Sequence, residues 1–261
     1  MMQSTTTRMT CIARRAAAAA AAMAAVLAAG CSSGSNTGTH SGHDQGAQSP
    51  TTTTDADWKP VADTLGRTGK LGDGNSVYRV ALPRTDLHVT TDNVAIKPGL
   101  SLGGYAAFAR YSSTTLLMGD LVVIEAELPK VTDALQAHGI AQTALHKHLL
   151  EQSPPVWWTH IHAMGDATEL AQGLKAVLDA TSIAPTGPPP VQQPPVDLDA
   201  AGVQQVIAAL RAGNIALVEL HNHSFTEQPR LFYAHFWAVD DAVSLAKALR
   251  TALDATNVQP A

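Results

Sequence analysis

The sequence predicts an α+β fold with antiparallel strands: two tandem helix–β-hairpin–helix repeats, with a β-rich meander before the first repeat only. Two observations carry this prediction. Shifting the chain against itself by 75 positions aligns residues 131–181 with 206–256 without a gap, and 21 of the 51 aligned positions are identical. Within each copy the apolar residues also change from helical spacing to alternation and back.

Residues 1–30 resemble an export signal, because three arginines precede an alanine-rich apolar run that ends in small residues. The run is too short to form a transmembrane helix. The small residues before Cys31 resemble a bacterial lipobox, in which Cys31 would be lipidated and become the new N-terminus. An ordinary cleaved signal is the alternative. We therefore expect a protein anchored through lipid to the extracytoplasmic face of the cell membrane.

Residues 31–57 are rich in Ser, Thr, Gly and Gln and almost lack apolar side chains, so they predict a flexible tether. The two cysteines of the chain, Cys11 and Cys31, lie in the signal and at its end. The remaining domain therefore has no thiol for a disulfide or a soft metal site. A net charge of −5 without a long basic run argues against nucleic-acid partners and leaves the lipid as the expected membrane contact.

Residues 58–183 form the first, complete unit of the prediction. A short helix after Trp58 ends in a glycine-rich stretch, and short β-rich segments separated by Pro, Gly, Asp and Asn follow. Residues 184–196 are rich in proline and predict an extended linker. The second, truncated unit spans residues 197–257. Within the meander, Arg84 and Asp86 predict a structural ion pair or a turn cap, and Asp120 is an isolated polar residue among apolar neighbours.

Each repeat predicts a helix, two strands and a closing helix. The first helix of copy one carries Pro129 in its first turn and ends at Gly139, whereas its partner in copy two is predicted to begin with Asp199 as its N-cap. The closing helices are expected to begin at Asp166 and Asp241. Both then show an apolar stripe at helical spacing.

Histidines concentrate in the predicted hairpins. Each copy has a His-x-His pair followed twelve residues later by a third histidine, with a matched proline between them. The two sets are His146, His148 and His160 in the first copy, and His221, His223 and His235 in the second.

Strand geometry suggests how these histidines meet. Residues two apart on a strand share a face, so each His-x-His pair points one way. If each hairpin is symmetric about its proline, His148 lies opposite His160, and in the same way His223 lies opposite His235. The same register places His162 opposite His146.

Three neutral imidazoles on neighbouring strands are a recurring platform for a divalent transition metal, and zinc is the default because the candidate ligands are nitrogen or carboxylate. Glu219, two residues before His221, is a candidate fourth ligand or base. Spacing does not decide between one shared site and two separate ones.

Three functional interpretations follow. The first is an envelope lipoprotein that binds a divalent transition metal or a small ligand without turnover. The second is a hydrolase-like metalloenzyme in which three histidines hold the ion and Glu219 or Asp120 acts as the base. The third is a structural repeat whose histidines are hydrogen-bonded core residues and bind no metal. Seven of the eleven histidines lie in the two hairpins, which weighs against the third interpretation because every buried imidazole needs polar partners.

Several short segments are distinctive within roughly residues 58–257. They are Leu-Pro-Arg-Thr-Asp-Leu from Leu82, Ile-Lys-Pro from Ile96, Met-Gly-Asp-Leu-Val from Met118, Ala-Leu-His-Lys-His-Leu from Ala144, and the stretch from Pro229 to Trp237. Together they resemble the LppY/LpqO family of bacterial lipoproteins. The resemblance implies an envelope lipoprotein of two related halves and supplies no activity. Two departures are visible: the second half lacks the strand-rich portion that the family repeats, and Lys147 stands where asparagine is usual, whereas Asn222 keeps it.

Overall fold

The structure is a computed structural model that describes residues 48–183 and 202–256. The signal peptide, Cys31, most of the tether, the linker and the predicted N-cap Asp199 lie outside the described residues. The described chain combines helices and antiparallel strands. The helices are α1 (Lys59–Leu65), α2 (Leu128–Ala137), α3 (Ala167–Asp179), α4 (Val203–Ala212) and α5 (Ala242–Leu253). The strands are β1 (Lys70–Gly72), β2 (Val77–Pro83), β3 (Val89–Thr91), β4 (Val94–Ile96), β5 (Gly103–Arg110), β6 (Thr115–Ile124), β7 (Ala141–His146), β8 (Val156–Gly165), β9 (Ala216–His221) and β10 (Tyr233–Trp237).

One six-stranded antiparallel sheet contains both the meander and the first hairpin, in the order β1-β2-β5-β6-β8-β7. Strands β3 and β4 form a separate two-stranded ribbon, and so do β9 and β10. Strand β1, which the glycine-rich stretch hid from the sequence analysis, pairs with β2 at one edge. The first hairpin is therefore an extension of the meander sheet.

Helices α1, α2 and α3 cover one face of this sheet and enclose the main core. Strand β2 shows why: its residues alternate between half-buried and buried, so Tyr78, Val80 and Leu82 point toward the helices. Trp58 is fully buried and stacks on Tyr78, with ring centroids 5.4 Å apart. The other sheet face carries the candidate site, and part of it packs against the ribbon of β3 and β4.

The closing helices begin where the sequence predicts. The side chain of Asp166 accepts hydrogen bonds from two backbone N–H groups in the first turn of α3, and that of Asp241 does the same for α5. Helix α2 ends before Gly139, whose φ of 64° lies in the left-handed region that glycine adopts without strain. Helix α4 is capped by the backbone at Gly202.

A buried ion-pair network ties the meander to α2. Arg84 is fully buried, and its guanidinium donates to both carboxylate oxygens of Asp86 and of Glu127, and to the carbonyl of Val122. Glu127 in turn accepts from the backbone N–H groups of Ile124 and Ser182. Every charge in this network has a partner, and Arg84 and Asp86 form the ion pair that the sequence predicts.

The second half has a much smaller core. Helices α4 and α5 pack on each other, and their core contains five buried residues: Val203, Val206, Leu210, Ile215 and Ala252. Among the described residues no strand pairs with the outer edge of β10. As a result Phe236 is 45% exposed, whereas Ile161, at the matching position of the first copy, is 1% exposed.

Two further facts concern the ends and the membrane. Thr51 and Thr53, in the segment assigned to the tether, donate backbone N–H groups to the carbonyls of Arg110 and Asn75. These bonds attach the last residues of that segment to the sheet.

Within the described ranges, no helix has the length and apolar character required to cross a membrane.

Candidate metal centre

The six paired histidines sit at equivalent places in the two halves. His146 and His221 end strands β7 and β9, and His160 and His235 lie within β8 and β10. His148 and His223 follow in the loops just beyond β7 and β9. Each His-x-His pair therefore spans the point where a strand becomes a loop.

The predicted register of the first hairpin is wrong. Ala144, not His148, lies opposite His160, and Trp158 lies opposite His146. His162 pairs with Ala141, near the other end of the hairpin. The physical reason is loop length: β7 ends at His146 and β8 starts at Val156, so the connection is a nine-residue loop and not a tight turn centred on the proline.

The second hairpin departs from the prediction in the same way. Glu219 lies opposite His235, and Tyr233 lies opposite His221, with a register irregularity between His235 and Phe236. His223 is in the loop and has no cross-strand partner of the predicted kind.

The histidines nevertheless converge, because imidazoles from the two halves stack on each other. The ring centroids of His146 and His221 are 3.8 Å apart. Those of His148 and His235 are 3.6 Å apart, and those of His160 and His223 are 3.8 Å apart. We call these six residues the histidine cluster. Both halves contribute to it equally.

Several ring nitrogens lie close enough to share an ion. The Nε2 atoms of His146 and His148 are 2.9 Å apart. Three groups offer ligand atoms that all lie within 4.8 Å of one another. They are His146 with His160 and His221, His146 with His148 and His235, and Asp120 with His148 and His160. Two of the three combine residues from both halves.

Many of these nitrogens lack a hydrogen-bond partner. Within the described chain, Nε2 of His160, Nε2 of His235, Nδ1 of His146 and both nitrogens of His221 are buried and have none. Buried polar atoms in folded proteins are paired in the large majority of cases, because an unpaired one costs about 1–3 kcal/mol. Several unpaired imidazole nitrogens at one place are compatible with a bound divalent ion.

Burial also keeps these imidazoles neutral. It lowers the pKa of His146 to about 2, and that of His148 and His160 well below the usual range; the neighbouring imidazoles add to this effect. Burial lowers the pKa of His221 to about 4, and that of His223 and His235 to about 3. The neutral imidazole is the form that binds metal ions.

Asp120 supplies the one carboxylate among the three ligand groups found in the described residues. It lies opposite His160 on the neighbouring strand, and its Oδ2 is 4.0 Å from Nε2 of His148. The residue is 8% exposed, and its Oδ1 has no partner within the described chain. Burial raises the pKa of this carboxyl well above its usual value. The sequence analysis had proposed Asp120 only as a base.

Glu219, the other candidate carboxylate, does not join the centre. It is half-buried beside His235 but belongs to none of the three ligand groups found among the described residues. His162, two residues beyond His160 on β8, also lies outside those groups.

Aromatic rings stack on the two histidines of the cluster that lie in loops, His148 and His223. Trp158 stacks on His148 with centroids 4.2 Å apart, and Tyr233 stacks on His223 with centroids 3.5 Å apart. The hydroxyl of Thr143 donates to the carbonyl of His223 at 2.6 Å, which links the two halves directly. Thr143 gave no signal in the sequence, because its role depends on how the halves dock.

Comparison with known proteins identifies the family of this chain. A family model described as "Domain of Unknown Function (DUF1259)" matches residues 59–180 and 197–255, which is more than half of the chain. The chain belongs to this family. The DUF1259 match covers both halves and therefore both sets of histidines, and its description states no activity. No curated protein matches the chain.

Proposed function

We propose that this protein binds one divalent first-row transition metal in the histidine cluster, at a site shared by its two halves. Two observations carry the proposal: several imidazole nitrogens are buried without partners, and their residues belong to three-residue groups whose ligand atoms lie within 4.8 Å of one another. A metal ion satisfies several such nitrogens at once, whereas a core of hydrogen-bonded histidines would leave few unpaired.

The stacking of histidines from one half on those of the other supports a shared site. We propose that residues 131–181 and 206–256 form a structural repeat related by a pseudo-twofold axis. Under such an axis the stack of His146 on His221 maps onto itself, and the other two stacks exchange. Equivalent distances between ring centroids agree in the two halves. They are 4.9 and 5.1 Å within the His-x-His pairs, and 4.8 and 4.9 Å between the first and third histidines of each set.

The ligands narrow the choice of metal. Imidazole nitrogens and one carboxylate suit zinc, nickel, cobalt, iron and manganese, and the absence of thiolate disfavours soft ions. Two nitrogens on a tetrahedral zinc would lie roughly 3.4 Å apart, given a metal–nitrogen distance of about 2.1 Å. If both Nε2 atoms of His146 and His148 bound one ion at about 2.1 Å, their separation of 2.9 Å would correspond to an N–metal–N angle near 90°, as in six-coordinate sites. The same separation fits an N–H···N hydrogen bond in the metal-free protein. Zinc and a six-coordinate ion such as nickel are both needed in the test.

We further propose that the metal-binding domain is held at the cell envelope. The lipobox-like residues before Cys31, the polar stretch after it and the resemblance to LppY/LpqO lipoproteins support this location. The lipid would be the contact with the membrane.

A metalloenzyme is the second candidate, and Asp120 is the observation that favours it. An unpaired carboxyl beside His148 and His160 could serve as a ligand or as a general base toward a metal-bound water. Retention of metal but loss of turnover in Asp120→Asn would identify this role. If the protein only binds metal, the unaltered chain will show no catalytic turnover, and Asp120→Asn will not change that.

The test of metal binding uses the full chain purified without added metal. Elemental analysis is expected to find a transition metal, and titration of the metal-free protein with Zn²⁺ or Ni²⁺ at neutral pH is expected to show saturable uptake. If the protein takes up neither ion, the histidines are structural and both functional candidates are wrong.

A further inference from the structure

The sheet face that carries the histidine cluster also carries Arg79, which forms no salt bridge among the described residues and interacts with Asp120 only at longer range. In β2 the buried residues point to the helices, so alternation places Arg79 on the opposite face. In β5 the same alternation places Tyr105 there. This face is partly open, and Met164 on β8 is 51% exposed.

Arg79 lies flat on Tyr105. Its Cζ atom is 3.4 Å from the centre of the ring. Such stacking uses the face of the guanidinium and leaves its N–H donors directed outward in the plane. Apart from an interaction with the Tyr105 hydroxyl, no carboxylate oxygen of the described chain lies within ion-pair distance of Arg79. Arg84, the residue just after this strand, has two carboxylate partners.

Arg79 is connected to the cluster through neighbouring strands. Tyr105 lies opposite Asp120 on β6, and Asp120 lies opposite His160 on β8. Since adjacent strands are about 4.8 Å apart, Tyr105 and His160 are separated by about 10 Å across the face. A ligand with several atoms between two polar ends can reach from Arg79 to an ion in the cluster.

We propose that this face binds an organic anion whose carboxylate or phosphate group pairs with Arg79 while its other end reaches the metal. The inference rests on the proposed metal centre. Guanidinium recognises such oxyanions through two parallel N–H bonds. Among the described residues, Asp120 lies between Tyr105 and His160 on this path, and a divalent ion beside His148 together with Arg79 would offset the charge of its carboxylate.

The test measures binding of glutarate and of 3-phosphonopropionate to the Co²⁺-loaded protein, by calorimetry and by the visible spectrum of the cobalt. We expect one of them to bind and to change the spectrum. Arg79→Gln should weaken that binding at least tenfold, and Arg79→Lys should weaken it less, because it keeps the charge but loses the two-pronged geometry. Lys175→Gln, on α3 over the other sheet face, removes one positive charge and should leave binding unchanged.

Elemental analysis of the same samples separates two failures. A chain without metal contradicts the proposed function itself. A metal-loaded chain that binds neither probe, or an Arg79→Gln variant that keeps its metal and binds as tightly as the unaltered protein, contradicts only the anion site.

Discussion

Acid should destabilise the metal-free protein, because its buried imidazoles are neutral when folded. The perturbation is a decrease in pH from 7.5 to 5.5 after removal of metal. An unfolded chain protonates histidine below about pH 6.5, whereas the folded chain keeps His146, His148 and His160 neutral far below that value. The free energy of unfolding is therefore unaffected by these groups above pH 6.5 and falls as the pH decreases.

The three least exposed imidazoles contribute most clearly to the loss, and His221, His223 and His235 add to it. Asp120 acts in the opposite direction, because burial raises its pKa and the folded carboxyl binds a proton that the unfolded one does not. His146 and His160 are 4% and 3% exposed, and the side chain of His148 is 15% exposed. With a pKa near 6.5 in the unfolded state only, each loses about 1.4 kcal/mol by pH 5.5, so the three together lose about 4 kcal/mol. This is a large share of the roughly 5–15 kcal/mol that stabilises a folded domain.

The assay is urea unfolding followed by tryptophan fluorescence and circular dichroism at several pH values. His160→Gln should reduce the loss by about 1.4 kcal/mol, since it removes one such imidazole. His162→Gln, on the same strand but outside the ligand groups, is the matched control and should keep the full loss. Metal at about 100 times its dissociation constant should add roughly 2.7 kcal/mol to the free energy of unfolding at neutral pH. A free energy of unfolding that stays constant from pH 7.5 to 5.5 would refute the reasoning.

Three further predictions concern the anchor, the two cores and the ion-pair network. Cys31→Ala should move the protein from the membrane fraction to the soluble fraction, and unchanged partitioning would contradict the lipid anchor. Leu174→Ala should cost about 3–4 kcal/mol of unfolding free energy and Leu249→Ala clearly less, because Leu174 is fully buried and its repeat counterpart only half-buried; equal costs in urea unfolding would contradict this reading of the cores. Arg84→Met should cost about 3–5 kcal/mol by leaving Glu127 buried without its cation, and a thermal midpoint equal to that of the unaltered protein would show that the network is dispensable.

Much of the local structure could be predicted from the sequence, because its causes are local. Asp166 and Asp241 precede apolar stripes at helical spacing, and each caps the helix expected there. The strands of the meander also lie close to where alternation and turn residues place them. Strand β1 was missed because Lys70–Gly72 lies among glycines and owes its conformation to pairing with β2.

Neither hairpin is centred on its matched proline, so the registers that such a turn predicts are wrong. The loop after His146 is long enough to hold His148 outside the strand, so same-face alternation does not apply to that pair. The two imidazoles still meet, with Nε2 atoms 2.9 Å apart, through the path of the loop. The six predicted histidines therefore lie together but in a different geometry, and neither His223 nor Glu219 belongs to a ligand group of the described chain.

Convergence of the two halves could not be read from spacing, since it depends on tertiary docking. Nothing in the sequence places His146 against His221, or the Thr143 hydroxyl against the His223 carbonyl. The repeat does identify the same three positions twice. Asp120 was visible as a polar residue in an apolar strand, but its place beside the imidazoles follows only from the pairing of β6 with β8.

The central claim is that histidines of both halves form one metal centre. The most direct measurement is the metal-to-chain ratio at saturation for the unaltered protein, His146→Ala and His221→Ala, obtained by calorimetric titration together with elemental analysis. The shared centre predicts one ion per chain and loss of high-affinity uptake in both variants, with His162→Ala unchanged. Two ions per chain, with half of the metal kept when either His146 or His221 is replaced, would show two independent sites and contradict the account.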